Sequence, residues 1–280
     1  MKASIFATTL CIGWLSSAAA LAADTMIYAH GWTPNGADLT YTNNSTYSPY
    51  AWGTTSPGAI HIGWNTGDDW RRSISNAVTV FDTRCSRAAG QSCTVICHST
   101  GCPITSAALD IHGWNGSVPR WRINRVLALA SSEGGSELGA ANATLDMLAA
   151  TFGYGPYHSS RQFLIPAIVR PAYDHNDTAT TPVLHVAGYD GNLASIRIPG
   201  QDDGVVGFHS ACGYVKVFGA TECSNDYEWV YKGWGVYVMR TVAQWQNHKR
   251  VEYCGRDACD KSHMQLVDKQ FQDLALVSNP

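Results

Sequence analysis

The stretch Cys93-Thr-Val-Ile-Cys97-His98-Ser99-Thr100-Gly101-Cys102-Pro103 joins an apolar, β-branched run to a helix-like segment of small residues through a turn centred on Ser99. A serine on such a strand-to-helix turn is pushed out at the end of a sheet, where its hydroxyl can attack a carbonyl carbon. Small residues must flank it, because the strand and helix backbones approach closely there. The start of the following helix lies under the reacting centre, and its dipole favours the negative charge that attack develops. The usual form of the turn is Gly-x-Ser-x-Gly, and here Cys97 stands at the first glycine. A buried strand followed by a helix with Ser99 as N-cap meets the same pattern. The chemical reading therefore depends on partners elsewhere in the chain. Cys97 is the rival nucleophile, but Ser99 holds the turn position.

The elements that must position Ser99 are legible as an alternation. Apolar runs at 25–29, 58–64, 93–97, 125–130 and 182–187 read as strands, and segments 73–83, 103–111 and 137–150 have helical spacing. Strands alternating with helices predict an α/β fold, with a mainly parallel sheet covered on both faces. No internal repeat, low-complexity tract or interdomain linker interrupts 23–280, which fits one large domain. Segment 151–181 is rich in Gly, Pro, Tyr and His and lies between two predicted strands. It reads either as a small cap over a pocket or as an irregular surface loop. Residues 36–50 form another polar loop, where Asn43 and Asn44 head glycosylation-type sequons.

Residues 1–22 carry Lys2, an apolar run and an Ala-Leu-Ala end, the pattern of a secretory signal peptide. The run is shorter than the ~20 residues a spanning helix needs. Leu10 before Cys11 is a poor fit to a lipoprotein signal. The net charge is −3, too mild and of the wrong sign for nucleic-acid binding through a basic surface. Ten tryptophans suit either a thick core or a carbohydrate- or lipid-facing groove. Beyond Cys11 stand Cys85, Cys93, Cys97, Cys102, Cys212, Cys223, Cys254 and Cys259, an even set in an oxidising compartment. Their local grouping predicts Cys85–Cys93, Cys97–Cys102, Cys212–Cys223 and Cys254–Cys259, one of many pairings eight cysteines allow. Zinc-type Cys-x-x-Cys or His-x-x-x-His spacing is absent.

The elbow resembles that of the bacterial secreted true lipases of the Pseudomonas and Burkholderia type, which reads Gly-His-Ser-x-Gly-Gly-Pro. His98, Ser99, Gly101 and Pro103 match, and cysteines stand at the two other glycines. The resemblance extends over short islands between residues 26 and 271. It implies an α/β-hydrolase fold and a Ser–Asp–His triad. Ile27-Tyr28-Ala29-His30-Gly31-Trp32 matches a strand ending in His-Gly, after which Trp32 supplies one oxyanion N–H and Thr100 the other. His112-Gly113-Trp114 repeats the tripeptide after a helix-like segment and reads as a loop turn. Asp202-Asp203-Gly204-Val205-Val206-Gly207-Phe208-His209-Ser210 resembles the family's Asp-Gly-Leu-Val-Gly-x-x-Ser, which makes Asp203 the acid. Asp190, after a strand, ranks second, and Asp202 is the near neighbour. Ser262-His263-Met264-Gln265-Leu266-Val267-Asp268-Lys269-Gln270-Phe271 resembles Asn-His-Leu-Asp-x-Val-Asn-x-x-Phe, which makes His263 the base. His248, in a helix-like polar run, is the runner-up, and His98 packs beside the elbow in the resembling proteins. Gly-Ser-Glu at 135–137 agrees with a further island.

With both elbow glycines replaced, a Cys97–Cys102 disulfide bracing the turn is expected, since bridging needs Cα atoms ~4.4–6.8 Å apart. The family's calcium-binding aspartate is Gln265 here, so no metal and no cofactor is expected. The short middle section implies a small or reduced lid and a preference for short, soluble esters. The implied activity is hydrolysis of a carboxylic ester or lipid by a secreted enzyme, with transient contact at a lipid interface. Polyester depolymerase and acyltransferase activities use the same triad, as do peptidases and amidases. A non-catalytic binding module leaves the ordered catalytic islands unexplained.

Overall fold

All six residues of the strand Cys93–His98 are buried, as befits a strand covered on both faces of a parallel sheet. A computed structural model describes residues 24–31, 58–63, 69–140, 164–188, 198, 202–211, 227–233, 236–241, 248–250, 263 and 266. Its strands are β1 (Thr25–Ala29), β2 (Ile60–Ile62), β3 (Cys93–His98), β4 (Trp114–Asn115), β5 (Val118–Pro119), β6 (Ile123–Leu129), β7 (Val183–Val186), β8 (Tyr227–Gly233), β9 (Val236–Thr241) and β10 (His248–Arg250). Six of them form one sheet in the order β10-β7-β6-β3-β1-β2, with every neighbouring pair parallel. This is the expected α/β arrangement of a parallel sheet flanked by helices. From β1 the chain goes to β2 on one side and to β3 on the other. In α/β sheets the crevice for a ligand opens at such a switch, outside the strands' carboxyl ends. Ser99 follows β3 and His30 follows β1, so both stand at that opening.

Two helices cover one face of the sheet. In α1 (Trp70–Arg84), Ile74, Ala77, Val80 and Phe81 are buried, a single stripe at helical spacing. Asp69 caps its start by accepting a hydrogen bond from the Arg71 N–H at 3.0 Å. On the solvent side Ser75, Thr79 and Thr83 donate back to carbonyls four residues earlier. Phe81 meets Trp121 edge-on at 5.2 Å and is fully buried, so Phe81→Ala is expected to cost about 3–5 kcal/mol. The Cys85–Cys93 disulfide, with Cα atoms 5.2 Å apart, ties the end of α1 to the start of β3. In α2 (Gly101–His112), nine consecutive residues from Gly101 to Leu109 are buried. A core of Ile27, Val95, Val126, Ile104 and Ala108 joins these helices to the sheet. On the opposite face Tyr28, Ile96, Leu127, Leu184 and Val186 form a second core with Leu266.

The strand and helix expectations agree with these elements; of the helix read at 137–150, Glu137–Ala140 form α3 and 141–150 lie outside the described residues. Two elements differ. His248, read within a helix-like run, lies on β10, which pairs with β7. Its sequence, His-Lys-Arg, is the charged composition that suits a sheet edge, and polarity of that kind hides a strand from period-based reading. The antiparallel pair β8–β9 was not read as strands at all, although its Tyr, Trp and Val content favours them. His112-Gly113-Trp114 is the junction at which α2 ends, with Gly113 as its C-cap, and β4 begins; the β4–β5 hairpin itself turns at Gly116, whose φ is +62°. The described part of 151–181 carries a one-turn helix, Pro166–Val169. It is fastened to α2 through the Asp174 N–H, which donates to Asp110 at 2.9 Å. Among the described residues no helix is long and apolar enough to cross a membrane. Residues 1–23, Asn43, Asn44 and the pairs Cys212–Cys223 and Cys254–Cys259 lie outside the described residues.

Candidate active site

Ser99 is the residue at which β3 stops being a strand. Its φ is +52°, a left-handed conformation that costs a non-glycine residue roughly 1 kcal/mol or more and persists only where surroundings enforce it. Three backbone bonds enforce it. The Ser99 N–H donates to the Leu129 carbonyl at 3.1 Å, and the Ser99 carbonyl accepts from Cys102 at 3.1 Å and Ser132 at 3.2 Å. The Cys97–Cys102 disulfide spans the turn, with Cα atoms 5.0 Å apart. Gly101 has no alternative: a Cβ there would come within 2.5 Å of the His30 carbonyl oxygen. The end of β1 thus passes directly over the first turn of α2. Thr100 is buried and sits at the N-cap of α2, where backbone N–H groups lack intrahelical partners. Trp32, the other expected oxyanion donor, lies outside the described residues, as does Asp190.

The second half of the site is a carboxylate–imidazole pair. His263 Nδ1 donates to Asp203 Oδ2 at 2.8 Å, and the His263 N–H donates to the Asp203 carbonyl at 2.9 Å. Both residues are buried. Asp203 Oδ1 accepts the N–H groups of Val205 at 3.0 Å and Val206 at 2.8 Å. Three donors, two backbone N–H groups and the His263 ring, thus satisfy this buried carboxyl group in place of water. Gly204 supplies the turn with a φ of +92°. Asp202 is used within that turn, accepting from the Gly204 N–H at 2.7 Å. Asp203, rather than Asp202, is therefore the carboxylate that meets His263.

His98 joins the two halves. Its Nε2–H donates to the His263 carbonyl at 3.1 Å, and the two rings lie 4.7 Å apart. Burial, followed by the neighbouring His263 and His30, holds His98 well below the usual imidazole range. His98 is thus neutral and adds no positive charge beside His263. Burial likewise lowers His30 to about 4, against its hydrogen bond to the Gly31 carbonyl at 2.6 Å and with a smaller push from His61. The residue immediately before Ser99 is thereby fixed to the backbone of His263, although the two lie far apart in sequence.

One group in this region was not singled out from the sequence. Glu133, on the loop after β6, is fully buried beside Ser131, Tyr173 and His185. Its signal was a carboxylate among small residues directly after an apolar strand, in Ala130-Ser131-Ser132-Glu133-Gly134-Gly135. His185 was visible as a lone imidazole in the apolar run Val183-Leu184-His185-Val186. Among the described residues no cluster of three or more His, Cys, Asp or Glu side chains could hold a metal ion.

No protein-family model matches the chain, and no curated protein matches it either. Among solved structures it is similar to the mature form of the lipase BlEst2 from Bacillus licheniformis, at 18% identity over 67% of this chain and 78% of that one, with a TM-score of 0.48. It is similar to the propeptide form of BlEst2 at 14% identity, covering 91% of this chain and 51% of that one, with a TM-score of 0.49. It is also similar to phospholipase PlaB from Legionella pneumophila, at 16% identity over 90% of this chain and 62% of that one, with a TM-score of 0.48. Likeness of this degree carries no information on the side chains of the site.

Proposed function

We propose that the chain is a secreted serine hydrolase that cleaves carboxylic esters, with Ser99 as nucleophile, His263 as base and Asp203 as acid. The observation that carries this reading is the buried 2.8 Å bond from His263 Nδ1 to Asp203, tied through His98 to the turn on which Ser99 sits. With its proton on Nδ1, His263 presents the Nε2 lone pair as the acceptor for the Ser99 hydroxyl proton. Ser99 Oγ attacks the ester carbonyl carbon as that proton moves to His263. Asp203 then faces an imidazolium, whose charge it offsets. The tetrahedral oxyanion is held by the N–H groups of Thr100 and Trp32, with the α2 dipole beneath it. His263 returns the proton to the departing alcohol. Water, deprotonated by the same imidazole, cleaves the acyl-enzyme and restores Ser99.

The chemistry needs no cofactor from any of these residues. Disulfides at Cys85–Cys93 and Cys97–Cys102 suit an oxidising compartment, in keeping with export directed by residues 1–22. The substrate is an ester or lipid, reached at a lipid interface or in solution. Hydrolysis of p-nitrophenyl esters from acetate to palmitate, by wild type and Ser99→Ala, tests the reading. Wild type is expected to turn over and Ser99→Ala to be inert, with the chain-length profile separating short-ester from lipid preference. A wild-type protein inert on every ester contradicts it.

A further inference from the structure

Ser99 and Asp203 are held by one intervening loop, residues 130–136, and the anchor of that loop is Glu133. The loop begins with a second left-handed residue, Ala130, at φ +46°. Its Ser132 N–H donates to the Ser99 carbonyl at 3.2 Å. At its other end the Ser136 hydroxyl donates to the Val205 carbonyl at 2.5 Å, and Val205 is one of the two residues whose N–H groups hold the Asp203 carboxylate. Ser210, further along that same segment, donates its hydroxyl to the Gly135 carbonyl at 2.6 Å and accepts the Gly134 N–H on its own carbonyl at 3.0 Å. A shift of the loop therefore displaces the nucleophile's backbone and the acid's cradle together.

Glu133 fixes the loop from beneath. Its carboxylate accepts hydrogen bonds from the Ser131 hydroxyl at 3.2 Å and the Tyr173 hydroxyl at 3.3 Å, with a further bond from Ser106 of α2. His185 Nε2 on β7 lies 3.9 Å from Oε2. Beyond these, His175 packs its ring 4.0 Å from that of Tyr173, Asp110 of α2 acts on Tyr173 through its charge, and Arg170 donates to the Gly134 carbonyl at 2.9 Å. We propose that Glu133 is a positioning residue for the reaction: its buried carboxylate, accepting from Ser131, Tyr173 and Ser106, locks the 130–136 loop that holds the backbone of Ser99 and the turn of Asp203. This rests on the reading of Ser99 as nucleophile. The hydroxyl groups all donate, so the ionised carboxylate makes the tightest set of contacts. Burial raises the Glu133 carboxyl to about 7, with the three hydroxyl bonds opposing it. The lock consequently tightens as pH rises through neutrality.

The test compares kcat, KM and their pH dependence for wild type, E133Q, Y173F and S99A on p-nitrophenyl butyrate, with thermal unfolding as the check on folding. E133Q is expected to lower kcat about ten- to hundredfold, because small misplacements far from the reacting atoms have effects of that size. KM is expected to stay unchanged, and the acid limb of kcat/KM to become shallower through loss of the Glu133 ionisation. Y173F is expected to lower kcat in the same way by less. An E133Q protein with the wild-type kcat and acid limb overturns the proposal, as does a change confined to KM. If E133Q does not fold, Y173F decides in the same terms. Hydrolysis surviving in S99A overturns the nucleophile reading and the proposal with it, whereas an inert S99A beside an unaffected E133Q overturns the proposal alone.

Discussion

Two buried carboxylate–imidazole pairs stand behind the carboxyl ends of this sheet, and they are built differently. Asp203 and His263 are joined by a 2.8 Å hydrogen bond, and backbone N–H groups satisfy the rest of the carboxylate. Glu133 and His185 are 3.9 Å apart, and flexible hydroxyl groups supply the donors to Glu133. Backbone donors fixed by a turn favour the charged form with little reorganisation. Hydroxyl groups rotate, so a proton on the carboxyl makes them rearrange and loosens the set. The first pair is thus suited to meeting a charge that appears on the imidazole during reaction. The second is suited to holding a loop, with its own protonation set by the surrounding pH.

Substitutions at the two pairs sharpen the contrast. Asp203→Asn removes the acceptor that selects the His263 tautomer, and steady-state kinetics are expected to show kcat falling about 10³- to 10⁴-fold with KM little changed. A fall as small as that expected for Glu133→Gln would make the two carboxylates equivalent and break the comparison.

Stability against pH separates the buried groups next. The Glu133 carboxyl is raised from 4.5 to about 7. Its contribution to stability is fully present below the unfolded value and is lost as pH rises through about 7. His30 is lowered from 6.5 to about 4, so its contribution is present above 6.5 and lost as pH falls through about 4. Each amounts to about 3 kcal/mol at most. Urea unfolding of wild type and Glu133→Gln is expected to show the wild type losing ground to the variant between acid and neutral pH. Parallel curves would mean that Glu133 has the same protonation folded and unfolded.

The elbow disulfide has the smallest expected effect. A Cys97→Ala/Cys102→Ala double variant releases a short loop, which chain entropy values at about 2 kcal/mol. The thermal midpoint is expected to fall while Ser99, still held by its bonds to Leu129 and Ser132, remains reactive. Complete inactivity in a folded double variant would assign the disulfide a larger part in shaping the turn.

Much of this arrangement was legible in the sequence because the signals are local. The run from Cys93 to Pro103 carries a strand, a turn and a helix start in eleven consecutive residues, and β3 and α2 lie where that run sets them. Asp203 stood out through the resemblance of Asp203-Gly204-Val205-Val206-Gly207 to the lipase pattern, and the pairs Cys85–Cys93 and Cys97–Cys102 by their short separations. Glu133 was not legible as an anchor, because Tyr173 and His185 reach it from segments 40 and 52 residues away. No sequence period reports burial of that kind. β10 was hidden for a different reason: its charged residues fit an edge, and its pairing with β7 joins residues more than sixty positions apart.

The most direct test of the central claim is covalent labelling with a fluorophosphonate, followed by peptide mapping of the modified protein. A single adduct on Ser99, forming in step with the loss of ester hydrolysis and absent from Ser99→Ala, is the result this site predicts. Full hydrolytic activity in protein whose Ser99 is unmodified after complete labelling elsewhere, or an adduct that forms equally in Ser99→Ala, would contradict it.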